Sequence, residues 1–250
     1  MQFLSILCWL VLPGLLLAWQ DLSDAPAGTL ANDEYVGAWM SESVDKGRPV
    51  TQILIVSDTY FTTASFVTKD HHFLSTSGGT YKMEGDKMTV TIEFHSPDHY
   101  QVGKQHVLHA KPTETGYKLV ARDGMVLGDW KRIDAGNKSQ LAGLWYAAAY
   151  KNEAGDTIRT DYKVKTIKIL SDTRFQWIAF DTISRKFVAT AGGTYSITQT
   201  GYVESLEFYA NADDRIGKSL GFRYKLEGSN WTHTGKSSQG MPLYELWSKK

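Results

Sequence analysis

The sequence predicts an all-β protein built from two tandem antiparallel up-and-down β-barrels. Two observations predict this fold class: most of the 250-residue chain is an internal repeat, and each copy reads as short strands separated by turn residues. No segment of helical length carries an apolar stripe with a 3.6-residue period. About 100 residues of short antiparallel strands suit a closed barrel of roughly eight strands, with a β-sandwich as the structural alternative.

The repeat consists of five matching blocks, and the last four keep the same offset of 114 residues. Residues 36–39 match 142–145, 53–59 match 167–173, 78–81 match 192–195, 92–94 match 206–208, and 102–104 match 216–218. The constant offset indicates duplication, because chance similarities would drift. We place the first barrel at residues 30–134 and the second at 141–250, joined by the short polar segment 135–140.

The strands of each copy are predicted from side-chain alternation and composition. Residues 89–95 alternate polar and apolar, which is the period-2 pattern of a half-buried strand. Residues 60–66 and 174–180 are rich in β-branched and aromatic side chains. Turn residues separate these segments, as in Asp45-Lys46-Gly47 and Glu84-Gly85-Asp86.

The first 20 residues predict a cleaved secretory signal peptide. They contain no charged residue, and the apolar run from Leu4 to Ala18 is too short and too interrupted for a spanning helix. Cleavage would remove Cys8, the only cysteine, so we expect no disulfide in the mature chain. We therefore expect a secreted or periplasmic protein without a transmembrane helix. A buried N-terminal helix is the alternative.

The composition excludes several classes of protein. A hydrophobic share of 42% excludes a disordered chain, and equal numbers of basic and acidic residues, 27 of each, argue against nucleic-acid binding. No phosphate-binding loop, dinucleotide fingerprint, serine-hydrolase elbow or zinc-protease motif is present. We expect no cofactor and no metal ion, with the histidines of the first copy at the surface or at strand edges.

The neutral total charge hides a difference between the two copies. Residues 1–134 carry 11 basic and 16 acidic side chains, whereas residues 135–250 carry 16 basic and 11 acidic side chains. Two hypotheses follow from this difference. Opposite charges help the barrels pack on each other, or the positive copy favours an anionic ligand.

The first strand of each copy resembles the lipocalin signature, Gly-x-Trp, in Gly37-Ala38-Trp39 and Gly143-Leu144-Trp145. The wider pattern of the second copy, from Gly192-Gly193-Thr194-Tyr195 to Glu245-Leu246-Trp247, resembles a bacterial lipocalin-like (calycin-type) secreted protein family of unknown function. The resemblance implies a barrel plugged by that tryptophan at its closed end, and an exported location. It implies no activity. The first copy departs from the family pattern at its Tyr-x-Glu positions.

The two copies differ on one predicted inward face. Alternation places Met88, Val90, Ile92 and Phe94 on an apolar face that should point into the first barrel, and the equivalent residues of the second copy are Tyr202, Glu204, Leu206 and Phe208. A buried carboxylate is costly unless it is paired. We therefore expect Glu204 and Tyr202 to line a ligand cavity in the second barrel, with the first barrel mainly structural. Alternatively, Glu204 pairs with an inward Lys or Arg, or lies at a wet barrel mouth.

Further candidates surround this pair. Glu245 shares a strand face with Trp247 and is expected to join Glu204, and four aromatic residues are candidate cavity walls or core residues: Trp177, Tyr195, Tyr224 and Trp231. The leading hypothesis is an exported binding protein that holds a small ligand, a sugar or an apolar metabolite, in the second barrel. The alternatives are a carbohydrate- or lipid-active enzyme using Glu204 with Glu245, and an envelope interaction module whose barrels are filled. The oligomeric state is left open.

Overall fold

The structure is a computed structural model that describes residues 34–136, 138–151, 155–160, 163–199 and 201–249. Within these residues the chain forms two closed antiparallel β-barrels, which confirms the predicted all-β fold class. The predicted signal peptide at residues 1–20 lies outside the described residues. Among the described residues, no helix has the length and hydropathy needed to cross a membrane.

The first barrel has eight strands that pair in chain order. They are β1 (Gly37–Asp45), β2 (Arg48–Val56), β3 (Tyr60–Val67), β4 (Phe73–Glu84), β5 (Lys87–His95), β6 (Gln105–Pro112), β7 (Gly116–Ala121) and β8 (Val126–Asp134). Pairing of β1 with β8 closes the barrel. The β1–β2 hairpin turns at Lys46 and Gly47, whose φ angles of 49° and 78° suit the type I′ turns that connect twisted strands.

The second barrel repeats this order with one additional short strand. It contains β9 (Gly143–Lys151), β10 (Thr157–Arg159), β11 (Val164–Leu170), β12 (Arg174–Asp181), β13 (Phe187–Ile197), β14 (Tyr202–Tyr209), β15 (Ser219–Glu227), β16 (Asn230–Lys236) and β17 (Pro242–Ser248). β10 and β11 both pair with β9, where the first barrel has the single strand β2. Pairing of β9 with β17 closes this barrel.

A β-bulge reverses one predicted side-chain direction in each copy. In β5, Ile92 pairs with Gly79 whereas Phe94 pairs with Gly78, so Glu93 is an extra residue in the ladder. A bulge of this kind shifts the following residue to the opposite face. The prediction that Phe94 points into the barrel was therefore wrong, because its ring lies in a cluster between the barrels.

The second copy repeats this bulge. Phe208 pairs with Gly192, Leu206 pairs with Gly193, and Phe208 joins the same cluster between the barrels. Glycine is required here, since a Cβ on Gly193 would lie 2.0 Å from the carbonyl oxygen of Ser205. The matched Gly-Gly pairs of the repeat therefore mark where each strand crosses its neighbour most closely.

The tryptophan of the first strand closes one end of each barrel. The indole N–H of Trp39 donates to the carbonyl of Tyr35 over 2.9 Å, and the guanidinium of Arg132 lies 4.2 Å from the Trp39 ring centroid. In the second barrel, Trp145 donates to the carbonyl of Leu141 over 2.8 Å and lies 4.7 Å from the Lys249 ammonium. This arrangement agrees with the plug that the lipocalin resemblance implies.

An apolar cluster joins the two barrels. Ile53 and Ile55 on the outer face of β2 pack in one buried cluster with Ile167 and Ile169 on the outer face of β11. Both faces of β2 are covered at its end, which explains the continuous apolar run at residues 53–56. The charged contacts between the barrels include a cation and an anion from the second barrel. Lys165 pairs with Glu93 of the first barrel, and Asp213 pairs with His72. The barrels are therefore joined mainly by apolar packing and not by opposite net charges.

Candidate functional site

The two barrel interiors have opposite chemistry at equivalent positions. Among the described residues, the cavity of the second barrel is lined by two carboxylates, a lysine and a histidine: Glu204, Glu245, Lys168 and His233. The equivalent residues of the first barrel are Leu54, Val90, Leu119 and Gly128, by the repeat offset and by the matching strand pairs. The same fold is thus built once with an apolar interior and once with a charged one.

Lys168 and Glu204 form a buried ion pair across the second barrel. Lys168 Nζ lies 2.7 Å from Glu204 Oε1, and the two side chains are only 3% and 4% exposed. The hydroxyl of Tyr202 donates to the same carboxylate oxygen over 2.8 Å. Burial, reinforced by the Glu204 charge, raises the pKa of Tyr202 well above its ordinary value, so the phenol stays protonated as a donor. The alternative in which Glu204 pairs with an inward lysine is the arrangement that the structure has.

A second charged pair lies beside the first. His233 Nε2 is 2.6 Å from Glu245 Oε2, and the indole N–H of Trp247 donates to the same oxygen over 3.0 Å. Burial alone would raise the pKa of Glu245, but the hydrogen bond and charge of His233, the charge of Lys168 and the Trp247 indole lower it to about 2. Glu245 is therefore a carboxylate at any physiological pH.

Both pairs face a cavity of about 260 Å³. The described hydrogen bonds of Glu204 all go to Oε1, and those of Glu245 all go to Oε2. Among the described residues, Glu204 Oε2 and Glu245 Oε1 thus have no hydrogen-bond partner. Glu245 is 28% exposed, so its carboxylate is within reach of a molecule in the cavity. The site therefore offers two carboxylate oxygens as hydrogen-bond acceptors.

The structure places the predicted aromatic residues at different heights in the barrel. Trp177 lines the cavity with Glu204 and Glu245, and its ring meets Tyr209 edge-on at 5.8 Å. Trp231 is fully buried behind the cavity, where its ring lies edge-on to Tyr202 at 5.2 Å. Its indole nitrogen has no hydrogen-bond partner among the described residues.

Tyr195 and Tyr224 lie away from the cavity, at the end of the barrel that Trp145 closes. The Tyr195 hydroxyl donates to the carbonyl of Ser171 and also contacts Ser139 Oγ, each over 2.6 Å. Tyr224 accepts a hydrogen bond from Gln140 Nε2 over 2.7 Å. Both tyrosines hold the linker side of the second barrel, and the structure does not bring them to the Glu204–Glu245 cavity.

Sequence reasoning missed Lys168, His233 and the role of Trp247. The signal for Lys168 was present, since it stands at the position of Leu54 inside the matched block 53–59, between Ile167 and Ile169. His233 carries a weaker signal, because it is a lone histidine that replaces Leu119 of the first copy. Comparing all inward positions of the two copies would have found both.

The first barrel also contains a cavity, and its lining differs from that of the second. Its cavity has a volume of about 780 Å³. The floor is apolar and includes Leu54, Met88, Val90, Ile92 and Trp130, whereas the mouth is polar and includes His95, Gln101, Gln105, His106 and Arg122. No cluster of three histidine, cysteine or acidic side chains suited to a metal ion occurs in the described parts of the chain.

Comparisons with known proteins identify no family for this chain. No family model matches it, and no curated protein matches it. Among solved structures, the crystal structure of the Cpx pathway activator NlpE from Escherichia coli is similar at 11% sequence identity and a TM-score of 0.26. That similarity covers 77% of this chain and 86% of the NlpE chain.

Proposed function

We propose that this chain is an exported binding protein that holds a small ligand in its second barrel, in contact with Glu204 and Glu245. The observation that carries this proposal is the charged interior, which opens onto a cavity of about 260 Å³. Convergent polar groups in an aromatic-lined cavity are the usual mark of a small-molecule site.

The first barrel supports this interpretation, because it shows that the fold does not need the charges. A buried ion pair is often no more stable than apolar residues of similar volume. At the same two positions the first barrel has Leu54 and Val90. Stability of the barrel therefore does not explain why the second copy carries Lys168 and Glu204, and recognition of a ligand does.

Each carboxylate is held in one orientation by its own neighbours. Lys168 and Tyr202 fix Glu204 through Oε1, while His233 and Trp247 fix Glu245 through Oε2. Groups held in place before binding lose little conformational freedom when a ligand arrives. The pattern is the one expected of a preorganised binding site.

The alternative functions receive less support from the geometry. A glycosidase-type pair needs one carboxylic acid with a raised pKa, whereas the pKa of Glu245 is lowered to about 2 and Glu204 is paired with Lys168. An interaction module with filled barrels does not fit two interiors that both contain cavities.

Export is part of the proposal and rests on the sequence of residues 1–20, together with the resemblance to the bacterial lipocalin-like family. The proposed units are a signal peptide at 1–20, a first barrel at 30–134 and a second at 141–250. Mass determination of the mature chain tests the first boundary. A mature chain that keeps Cys8 would contradict the cleaved signal.

The binding function is tested by restoring the residues of the first copy. The double variant Lys168→Leu/Glu204→Val keeps a filled interior without the Lys168–Glu204 ion pair, and it retains His233 and Glu245. Tryptophan fluorescence is titrated with pools of small amines, sugars, carboxylates and fatty acids, for the wild type and for this variant. We expect at least one pool to give a saturable change in the wild type that the variant loses. If no pool distinguishes the two proteins, the proposed function is wrong.

A second candidate function is the binding of an apolar molecule in the first barrel. The specific observation is its cavity of about 780 Å³, which falls within the volume range of known ligand sites. In addition, Trp130 lines this cavity, and its indole nitrogen has no acceptor among the described residues. The equivalent Trp247 of the second barrel donates to Glu245. A ligand oxygen would supply the missing acceptor.

The dye 1-anilinonaphthalene-8-sulfonate tests this second candidate. We expect saturable fluorescence enhancement by the wild type, and its loss in Leu119→Trp, whose larger side chain fills the cavity. The double variant Lys168→Leu/Glu204→Val is the matched control and should bind the dye unchanged. Equal enhancement by wild type and Leu119→Trp would count against a ligand site in the first barrel.

A further inference from the structure

We propose that the ligand of the second barrel is a small organic ammonium compound. This inference rests on the proposed function, since it names the ligand class for the same cavity. Three observations carry it: the balance of charge on the cavity wall, the unused carboxylate oxygens, and the aromatic rings that already hold cations in this barrel.

The charges on the cavity wall favour a cation. Glu204 and Glu245 are both close to the cavity, and one of the two negative charges is balanced by the ammonium of Lys168. The second is hydrogen-bonded to His233. An anionic ligand would meet two carboxylates, of which Lys168 balances one. A cationic ligand would meet attraction from both.

Two carboxylate oxygens at the cavity are left as acceptors for a ligand. The buried His233 Nδ1 also has no hydrogen-bond partner among the described residues. Glu204 Oε2 and Glu245 Oε1 make no hydrogen bond with any described residue, and the Glu245 side chain is the more exposed of the two. A carboxylate attracts an ammonium group through its charge whether or not the group carries N–H bonds, and any N–H that is present adds a charge-assisted hydrogen bond. The low pKa of Glu245 keeps this acceptor charged throughout the physiological range.

The barrel already binds ammonium groups against aromatic rings. Lys168 Nζ lies 4.9 Å from the Trp247 ring centroid and 5.2 Å from that of Trp231. The guanidinium of Arg215 lies 4.4 Å from the Tyr209 ring centroid. Trp177 also lines the cavity and has no cation recorded over it among the described residues. A ligand ammonium next to Trp177 and Glu245 would repeat the surroundings that Lys168 has.

The positive net charge of residues 135–250 points in the opposite direction. Charges on the outer surface are screened over a distance of about 10 Å in salt, whereas the two carboxylates are in direct contact with the cavity. We therefore give the near charges more weight. The experiment includes an anionic probe so that the influence of the surface charge is measured directly.

Three probes of nearly the same shape separate charge from size. Choline is the cation, 3,3-dimethylbutan-1-ol is its neutral counterpart, and 3,3-dimethylbutanoate is the anion. Isothermal titration calorimetry of the full chain measures each affinity. We expect choline to bind about tenfold more tightly than the neutral alcohol, and the anion to bind most weakly.

Two carboxylate-to-amide variants form a matched pair for this experiment. Glu245→Gln should weaken choline binding about tenfold and leave the neutral alcohol unchanged. Asp123→Asn changes a carboxylate that lines the cavity of the first barrel instead, and should leave choline binding unchanged. Circular dichroism of both variants confirms that they are folded.

The outcomes separate the ligand class from the binding function. Equal affinities for all three probes, or tightest binding of the anion, would overturn the ammonium ligand while leaving a binding site in place. The absence of any choline binding would also overturn the inference, and the pooled titrations would then decide whether the second barrel binds another class of molecule. Choline binding that Glu245→Gln leaves unchanged would place the cation elsewhere.

Discussion

Lys168 and Glu204 face each other across the lumen of the second barrel, with 2.7 Å between Nζ and Oε1, on the strands β11 and β14 that are not neighbours in the sheet. Leu54 and Val90 occupy the equivalent positions of the first barrel. The chain thus contains its own control, since the same lumen is spanned by an apolar contact in one copy and by an ion pair in the other.

The ion pair predicts that single and double substitutions have opposite consequences. Glu204→Gln leaves the buried ammonium of Lys168 without its counter-charge, so we expect a loss of about 3–5 kcal/mol in the free energy of unfolding. Lys168→Leu should cost a similar amount by stranding Glu204. The double variant Lys168→Leu/Glu204→Val should have a free energy of unfolding that is within about 1 kcal/mol of the wild-type value or higher.

Urea titrations of the wild type, the single variants and the double variant measure these free energies and their coupling. Exposed carboxylates provide a comparison, because Glu227→Gln removes a surface pair with Lys225 and should change stability by less than about 1 kcal/mol. Single variants that are no less stable than the double variant would show that the pair is not coupled.

Glu245 predicts a specific loss of stability in acid. Its pKa in the folded chain is about 2, below the ordinary value of 4.5, so folding is favoured by its ionisation. This contribution is complete above pH 4.5 and is lost as the pH falls towards 2. The groups that face it are His233, Lys168 and the Trp247 indole.

Glu245→Gln isolates this contribution from that of the other carboxylates. We expect the urea midpoint of the wild type to fall more steeply between pH 4.5 and 2 than that of the variant, with parallel behaviour above pH 5. Parallel curves over the whole acid range would show that His233 does not stabilise the Glu245 carboxylate in the folded chain.

The sequence allowed prediction of features that repeat along a strand, but not of contacts across the lumen. Alternation and the copy comparison predicted that Glu204 points inward, and it does. Its partner Lys168 lies three strands away, where strand register gives no direct distance. Lumen contacts depend on barrel tilt and on the height of each residue along the barrel axis, which alternation does not reveal.

Position along the barrel axis also explains why two predicted cavity tyrosines lie away from the cavity. Tyr195 and Tyr224 were candidate cavity walls, yet both make their hydroxyl contacts at the closed end. An inward aromatic side chain can lie at either end of a barrel, and side-chain alternation is the same in both cases. Phe94 shows the other limit, since an extra residue in one strand reverses the face of every residue that follows.

At the bulge glycines, we expect adding one methyl group to lower the free energy of unfolding. A Cβ at Gly193 would lie 2.0 Å from the Ser205 carbonyl oxygen, at a φ of 159°, so Gly193→Ala should lower the free energy of unfolding by about 1–3 kcal/mol or prevent folding. Gly221→Ala is the matched control on β15, since a Cβ there meets nothing within 4 Å. It should change stability by less than about 1 kcal/mol.

Thermal unfolding of the two glycine variants measures the difference. The same change at Gly79, where a Cβ would lie 1.9 Å from the Thr91 carbonyl oxygen, should reproduce the effect in the first barrel. Gly193→Ala and Gly221→Ala of equal stability would mean that β13 and β14 can separate at the bulge at little cost.

Phe94 predicts that the two barrels unfold together. Its ring is 1% exposed and lies 5.4 Å from the Phe180 ring centroid, in the apolar cluster that contains residues of both barrels. Phe94→Ala should therefore lower stability by about 3–5 kcal/mol. Tyr100→Ala removes an aromatic ring that is 72% exposed and should change stability by no more than about 0.5 kcal/mol.

Differential scanning calorimetry distinguishes shared from independent unfolding. If the cluster couples the barrels, the wild type shows one transition, and Phe94→Ala moves the whole transition to lower temperature, although the substitution lies in the first barrel alone. Two transitions, of which Phe94→Ala moves only one, would show that each barrel unfolds by itself. The apolar cluster would then be a contact between independent domains, and the charged interior of the second barrel would have to be stable without the first.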